Sequence, residues 1–73
     1  MRPRPVYPLA SAFAEGDRLV AVKELSPKIP VGCTGEVIAV LPVTNEIHVR
    51  WVTPSGERTT KGSPTNGYEK VLP

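Results

Sequence analysis

Proline and glycine interrupt this chain so often that an ordinary α-helix has almost nowhere to form. Nine Pro and six Gly are scattered over 73 residues, and the longest intervals free of both are residues 17–26 and 43–53. Both residues destabilise a helix interior, proline because it lacks an N–H and clashes with the preceding turn. Ten Val, three Ile and six Thr fill the intervals, and β-branched side chains favour strands. The sequence therefore predicts an all-β chain.

Alternation of apolar and polar residues divides the chain into five short strands. The clearest alternation is in the third strand, where Ile47, Val49 and Trp51 fall on one face and polar side chains on the other. The predicted strands are residues 18–24, 36–41, 46–52, 57–61 and 68–72. Five short strands with turn signals at this spacing predict a small closed barrel. We assign the barrel to residues 15–73, preceded by an extended, basic and Pro-rich N-terminal arm at residues 1–14, and we leave open whether residues 9–14 form a helical turn that plugs the barrel.

Length, charge and cysteine content restrict the function. A chain of 73 residues forms one small domain with little room for an enzyme cleft. Its formal net charge of +2 comes from Arg2 and Arg4, because residues 6–73 hold equal numbers of basic and acidic side chains. A single Cys is incompatible with an intramolecular disulfide or a multi-cysteine zinc site, and an unpaired thiol is typical of the cytosol. We therefore expect a cytoplasmic, non-catalytic domain without a cofactor, a metal or a membrane span.

Three short stretches of the chain form a pattern of turn and core positions. They read Gly-Asp-Arg-Leu at residues 16–19, Pro-x-Gly-x-x-Gly-x-Val at residues 30–37 and Ile-His-Val-Arg-Trp at residues 47–51. Together they resemble the prokaryotic SH3-like small barrels, most closely a bacterial and phage domain of unknown function. The resemblance covers about residues 15–72 and implies an SH3-like barrel. It implies no particular activity, because that barrel serves many roles.

The chain departs from the pattern of that family around the fourth strand. Residues 52–56 stand where the family has a short Asp-Asn-Gly turn, and Leu19 replaces a valine of the first motif. Thr59 and Lys61 stand where the family has apolar residues. Two arrangements of the fourth strand therefore stay open: it packs as in the family, or it lies at the edge of the sheet as a polar strand.

An outward-facing apolar patch is the first candidate for a binding surface. If the residues that alternate with them face the core, Val20 and Val22 face outward, and pairing of the first two strands would place them next to Ile38 and Val40. In the opposite phase both valines belong to the core. Exposed apolar patches often mark interfaces, and an edge strand can accept another strand. This predicts a module that docks on a protein partner, with a homo-oligomer through an edge strand as a further option.

Basic side chains provide the alternative function, a nucleic-acid accessory protein of the KOW-like barrel type. Phosphate contacts supply much of the affinity of such proteins, and here they would come from the arm and the polar face of the third strand. The candidate residues are Arg2, Arg4, Lys28, His48, Arg50, Arg58 and Lys61. Stacking on bases would need exposed aromatic side chains, and Trp51 is either such a platform or the anchor of the core.

Overall fold

A computed structural model describes residues 9–71 of the chain, and the strands in this part form one antiparallel five-stranded sheet. A single 3-10 turn, Ala10–Ala12, precedes the sheet. The strands are β1 (Arg18–Ala21), β2 (Thr34–Leu41), β3 (Glu46–Thr53), β4 (Gly56–Gly62) and β5 (Tyr68–Lys70). Their order in the sheet is β4-β3-β2-β1-β5. The all-β prediction is confirmed.

The sheet is not closed into a barrel by backbone pairing. Among the described strands β4 pairs only with β3 and β5 pairs only with β1, so these two strands form the opposite edges. All three residues of β5 are paired with β1. Backbone N–H and C=O groups alternate in direction along a strand, so a strand of three residues has few such groups that point away from β1 and could pair with β4. The five predicted strands are therefore present, but among the described residues they form an open sheet and not a closed barrel.

Strand boundaries agree with the prediction to within three residues. β1 ends at Ala21 rather than at residue 24, because the N–H groups of Val22 and Lys23 both donate to the Gly67 carbonyl, at 2.9 and 3.2 Å. β2 begins two residues earlier than predicted, at Thr34, and β3 and β4 are slightly longer than predicted. β5 ends at Lys70 and Val71 is no longer part of it, whereas residue 72, the predicted end, lies outside the described residues.

Trp51 is the centre of the core. Its side chain is fully buried on the inner face of the sheet, and its indole N–H donates to Thr60 Oγ1 at 3.0 Å. The indole also packs against Tyr68, with the ring centroids 5.7 Å apart. The other large side chains of this face that are fully buried are Leu19, Val37, Ile47 and Val49. Trp51 is therefore the core anchor, and it is not exposed as a platform for base stacking.

The turn Ala10–Ala12 packs on the core instead of belonging to an extended arm. Ala10 is fully buried, and the Phe13 side chain is only 9% exposed. The Ala10 N–H donates to Asn45 Oδ1 at 2.8 Å, which ties the turn to the loop between β2 and β3. Apolar side chains at two positions of this segment are buried against the sheet, so of the two alternatives for residues 9–14 the structure favours the helical turn over an extended arm. Residues 1–8, which hold the basic and Pro-rich part of that arm, lie outside the described residues.

The pKa of Asp17 is held below its ordinary value where this segment meets β1. The Ala14 N–H donates to Asp17 Oδ2 at 2.9 Å, and Lys70 Nζ lies 3.3 Å from the same oxygen. Both contacts favour the ionised carboxylate, so its pKa is lower in the folded state than in the unfolded chain. Their stabilising effect is therefore complete well above the ordinary value of 3.8 and is lost as the pH falls through the lowered pKa.

Asp17→Asn is expected to remove this part of the acid sensitivity. Denaturant midpoints measured from neutral pH to below pH 3.8 should fall less steeply for the variant than for the wild type, because the variant has no proton to take up. Equal slopes in that range would mean that the Asp17 contacts do not contribute to acid unfolding.

Candidate functional site

The four apolar residues that were predicted to form an outer patch do not meet. β1 pairs with the beginning of β2, so Val20 lies opposite Thr34. The first residue of β1, Arg18, lies opposite Glu36. Ile38 and Val40 come later in β2, past the point where β1 begins, so no β1 residue lies opposite them. Val22 lies past the end of β1, and Val40 packs against the core. The predicted patch is therefore wrong as a single surface, although Val20 and Val22 do follow the predicted outward phase.

A row of ion-paired side chains crosses the outer face of the sheet. Arg50 of β3 lies between two carboxylates, with Nη2 3.0 Å from Glu36 Oε1 and Nε 3.8 Å from Glu57 Oε2. A shallow groove of about 270 Å³ lies beside this row, and Val52 and Val71 contribute to its walls. Arg50 already interacts with two carboxylates, so it would have to give up these contacts to bind a phosphate.

The other basic candidates are dispersed over the described part of the chain. His48 and Lys61 lie opposite each other on the outer face, whereas the register places Arg58 on the other face of β4. Lys28 lies in the loop between β1 and β2. Arg2 and Arg4 fall in the segment that the structure does not describe. The polar face of β3 therefore combines opposite charges and does not concentrate positive charge.

β4 has one side along which none of the described strands pairs. All seven of its residues lie along β3, to which it is joined by the two-residue turn Pro54-Ser55. In such a hairpin the two residues that flank the turn, here Thr53 and Gly56, exchange both backbone hydrogen bonds. From Gly56 onward, the N–H and C=O groups of successive β4 residues point alternately towards β3 and away from it. Three residues therefore direct their N–H and C=O groups away from β3, and these are Glu57, Thr59 and Lys61.

A second groove, of about 210 Å³, lies beside the end of β4 on the core side of the sheet. Its walls include Leu25, Ile47, Thr60 and Tyr68, together with the polar segment that leads from β4 to β5. Leu25 and Tyr68 are partly buried and pack against the core. Burial raises the pKa of Tyr68, and its hydroxyl accepts a hydrogen bond from the Thr65 N–H at 3.3 Å. The unpaired side of β4 is therefore next to a partly apolar groove.

The polar composition of β4 was visible in the sequence, but its unpaired side was not. Thr59 and Lys61 depart from the apolar pattern of the resembling family, which is consistent with the edge position that the structure shows. Glu57, Leu25 and Tyr68 were not among the predicted site residues. The sequence does hold one feature that could have identified Glu57: it has the opposite charge to Lys61 and lies four residues before it.

No other kind of site is evident between residues 9 and 71. In this range, no three His, Cys, Asp or Glu side chains are grouped so that they could hold a metal ion. No helix there is long and apolar enough to cross a membrane. Cys33 is a free, buried thiol.

No family model matches the chain, and neither a curated protein nor a solved structure matches it. The function is therefore argued from the geometry of β4 and its surroundings.

Proposed function

We propose that this chain is a non-catalytic interaction module that docks on a protein partner by strand addition at β4. The observation that carries the proposal is a seven-residue strand with a side that no other strand between residues 9 and 71 pairs with, next to a partly apolar groove. In strand addition, main-chain hydrogen bonds provide affinity and pockets for alternate side chains provide specificity. The partner segment would be extended, and its residues on the core side would contact the groove at Leu25 and Tyr68.

We also propose that the domain has the SH3-like barrel architecture that its motifs resemble. The position of β1 between β2 and β5 supports this, as does the register shift between Val37 and Ala39, because a bulge lets one strand bend between two halves of a sheet. A strand added to β4 would extend the sheet on the side where the barrel is open. The buried, unpaired Cys33 supports a cytoplasmic setting, since free thiols persist in reducing compartments.

A nucleic-acid partner has less support from the same residues. Phosphate binding requires a concentration of basic side chains, and here Arg50 is already paired with Glu36 and Glu57. That alternative stays a prediction that rests mainly on Arg2 and Arg4, which the structure does not describe.

Thr59→Pro is expected to weaken partner binding and to leave the fold intact. The Thr59 N–H points away from β3, so proline removes a donor from the unpaired side without breaking a hydrogen bond between β3 and β4. Thr59→Ala keeps the N–H and is the matched control. We expect the proline variant to bind at least about tenfold more weakly, which corresponds to one or two lost hydrogen bonds.

The measurement is affinity capture from the lysate of the source organism, with and without nuclease, followed by titration of the captured protein. The tagged chain is used at nanomolar concentration, and thermal unfolding shows whether both variants fold. We expect a protein that survives nuclease treatment, binds the wild type and Thr59→Ala equally, and binds Thr59→Pro more weakly. Capture that is unchanged by the proline, or that disappears with nuclease, would overturn docking at β4.

A further inference from the structure

The sequence of β4 is self-complementary about Thr59. When two copies of this strand run antiparallel with Thr59 opposite Thr59, Glu57 of each copy lies opposite Lys61 of the other. The same register places Gly56 opposite Gly62 and Arg58 opposite Thr60. A two-fold axis through Thr59 therefore generates two identical contacts between opposite charges.

We propose that the strand added to β4 is the β4 of a second copy, which joins the two sheets into one continuous sheet across a two-fold axis. This inference rests on the strand addition proposed above and names one partner for the same edge. An unpaired strand edge is a template for a second chain, and an isologous contact closes after two copies, so it gives a dimer and not a filament.

The directions of the backbone groups allow this register. Glu57, Thr59 and Lys61 each present an N–H and a C=O to the unpaired side. In the register centred on Thr59, Glu57 of one copy lies opposite Lys61 of the other, and the two Thr59 residues lie opposite each other. Both members of each pair direct their backbone groups towards the partner strand, so every pair can exchange two hydrogen bonds. A shift by one residue would place outward-directed groups against inward-directed ones. A shift by two residues would place Glu57 opposite Thr59 and remove both charge pairs.

The side chains that meet on the outer face are available for contact. The Glu57 side chain is 64% exposed, and its 3.8 Å contact with Arg50 leaves room for a second cation. Lys61 is exposed and lies opposite His48, and no carboxylate among residues 9–71 is within salt-bridge distance of it. A second copy would thus supply Glu57 and Lys61, the two charges of β4 on the outer face, each with a new partner of opposite sign.

On the core side, the same register places Arg58 of the second copy opposite Thr60. Thr60 lines the groove whose apolar wall includes Leu25 and Tyr68. The long hydrocarbon stem of an arginine can cover such a surface while its guanidinium stays in water. The register centred on Thr59 therefore places the Arg58 side chain of each copy beside the groove at Leu25 and Tyr68 of the other copy.

The test is sedimentation equilibrium of the full chain from micromolar to near-millimolar concentration. Because the contact is small, we expect a weak dimer that forms reversibly within this range. Glu57→Lys and Lys61→Glu each place like charges opposite each other at both symmetric contacts. Each variant alone is expected to dimerise at least about tenfold more weakly than the wild type.

Mixing the two variants distinguishes self-pairing from a general effect of charge. The E57K copy presents two positive charges and the K61E copy two negative charges, so a mixed pair has opposite charges at both contacts. We expect the mixture to form heterodimers at least as strongly as the wild type forms homodimers, and the double variant E57K/K61E to recover homodimerisation. Unchanged thermal unfolding of each variant would show that the fold is retained.

A wild type that remains monomeric throughout, or single variants that dimerise as the wild type does, would overturn the pairing with a second copy. The Thr59→Pro capture experiment reports on strand addition by any partner and is made at a concentration where the weak dimer is dissociated. A monomeric chain that still captures a protein in a Thr59→Pro-sensitive way would therefore overturn only this inference. Self-pairing that persists in Thr59→Pro would also overturn it.

Discussion

Trp51→Ala is expected to leave the chain largely unfolded at room temperature. The Trp51 side chain is fully buried, its ring packs against Tyr68, and its N–H donates to Thr60. Truncating a buried tryptophan to alanine costs about 3–5 kcal/mol. A domain of this size rarely gains more than about 3–5 kcal/mol from its core, so the loss is comparable to the whole stability.

Circular dichroism during urea titration is the appropriate measurement, because the variant lacks the tryptophan that fluorescence would follow. Trp51→Phe is the matched control, since it keeps an aromatic ring but leaves Thr60 Oγ1 without its donor. We expect this control to unfold cooperatively with a loss of about 1–3 kcal/mol. A cooperative transition near the wild-type midpoint for Trp51→Ala would contradict the central position of this residue.

Gly35→Ala is expected to be the most destabilising addition of a single methyl group in this chain. A Cβ atom at Gly35 would lie 2.7 Å from Trp51 Cε3 and 2.9 Å from Val49 Cγ1. Both neighbours are fully buried in the middle of the sheet, and close packing of a core means that neither can shift without displacing other side chains. Overpacking of this kind costs about 1–3 kcal/mol or more, and we expect the melting temperature to fall by roughly 10–20 °C.

Gly67→Ala is the control for this prediction. A Cβ atom at Gly67 would also come close to a neighbour, 2.6 Å from Leu25 Cδ2, but that atom is the end of a flexible and partly exposed side chain. We therefore expect a clearly smaller fall in melting temperature by differential scanning calorimetry. Equal losses in the two variants would mean that the indole of Trp51 does not set the cost at Gly35.

The strands could be predicted well because their signals are local. The alternation in β3 places Ile47, Val49 and Trp51 in the core, and all three are buried. Pro42 follows β2, Pro54 follows β3 and Gly67 precedes β5, as the sequence predicts, whereas Gly35 lies inside β2. β1 ends earlier than predicted because Gly67, far away in the chain, accepts hydrogen bonds from Val22 and Lys23.

The errors concern relations between segments that are distant in sequence. The valine patch failed because Val20 meets the beginning of β2 and not its middle, which depends on how the loop between the strands closes. Whether residues 9–14 pack as a turn stays open in the sequence, because Ala10 and Phe13 are covered by parts of the chain that follow much later. Closure of the barrel depends on how many residues of β5 remain to pair, and that number follows from its pairing with β1.

The sequence by itself determined the all-β class, the common face of Ile47, Val49 and Trp51, and the symmetric charges at Glu57 and Lys61, because each depends on residue type and on spacing along one strand. Only the tertiary structure decided that β4 is an edge. Whether a strand has a free side depends on which segments lie next to it, and here the segment after β4 crosses to pair with β1 and leaves that side of β4 open. The same charges in a central strand would have no access to a partner, since both sides of its backbone would already be hydrogen-bonded.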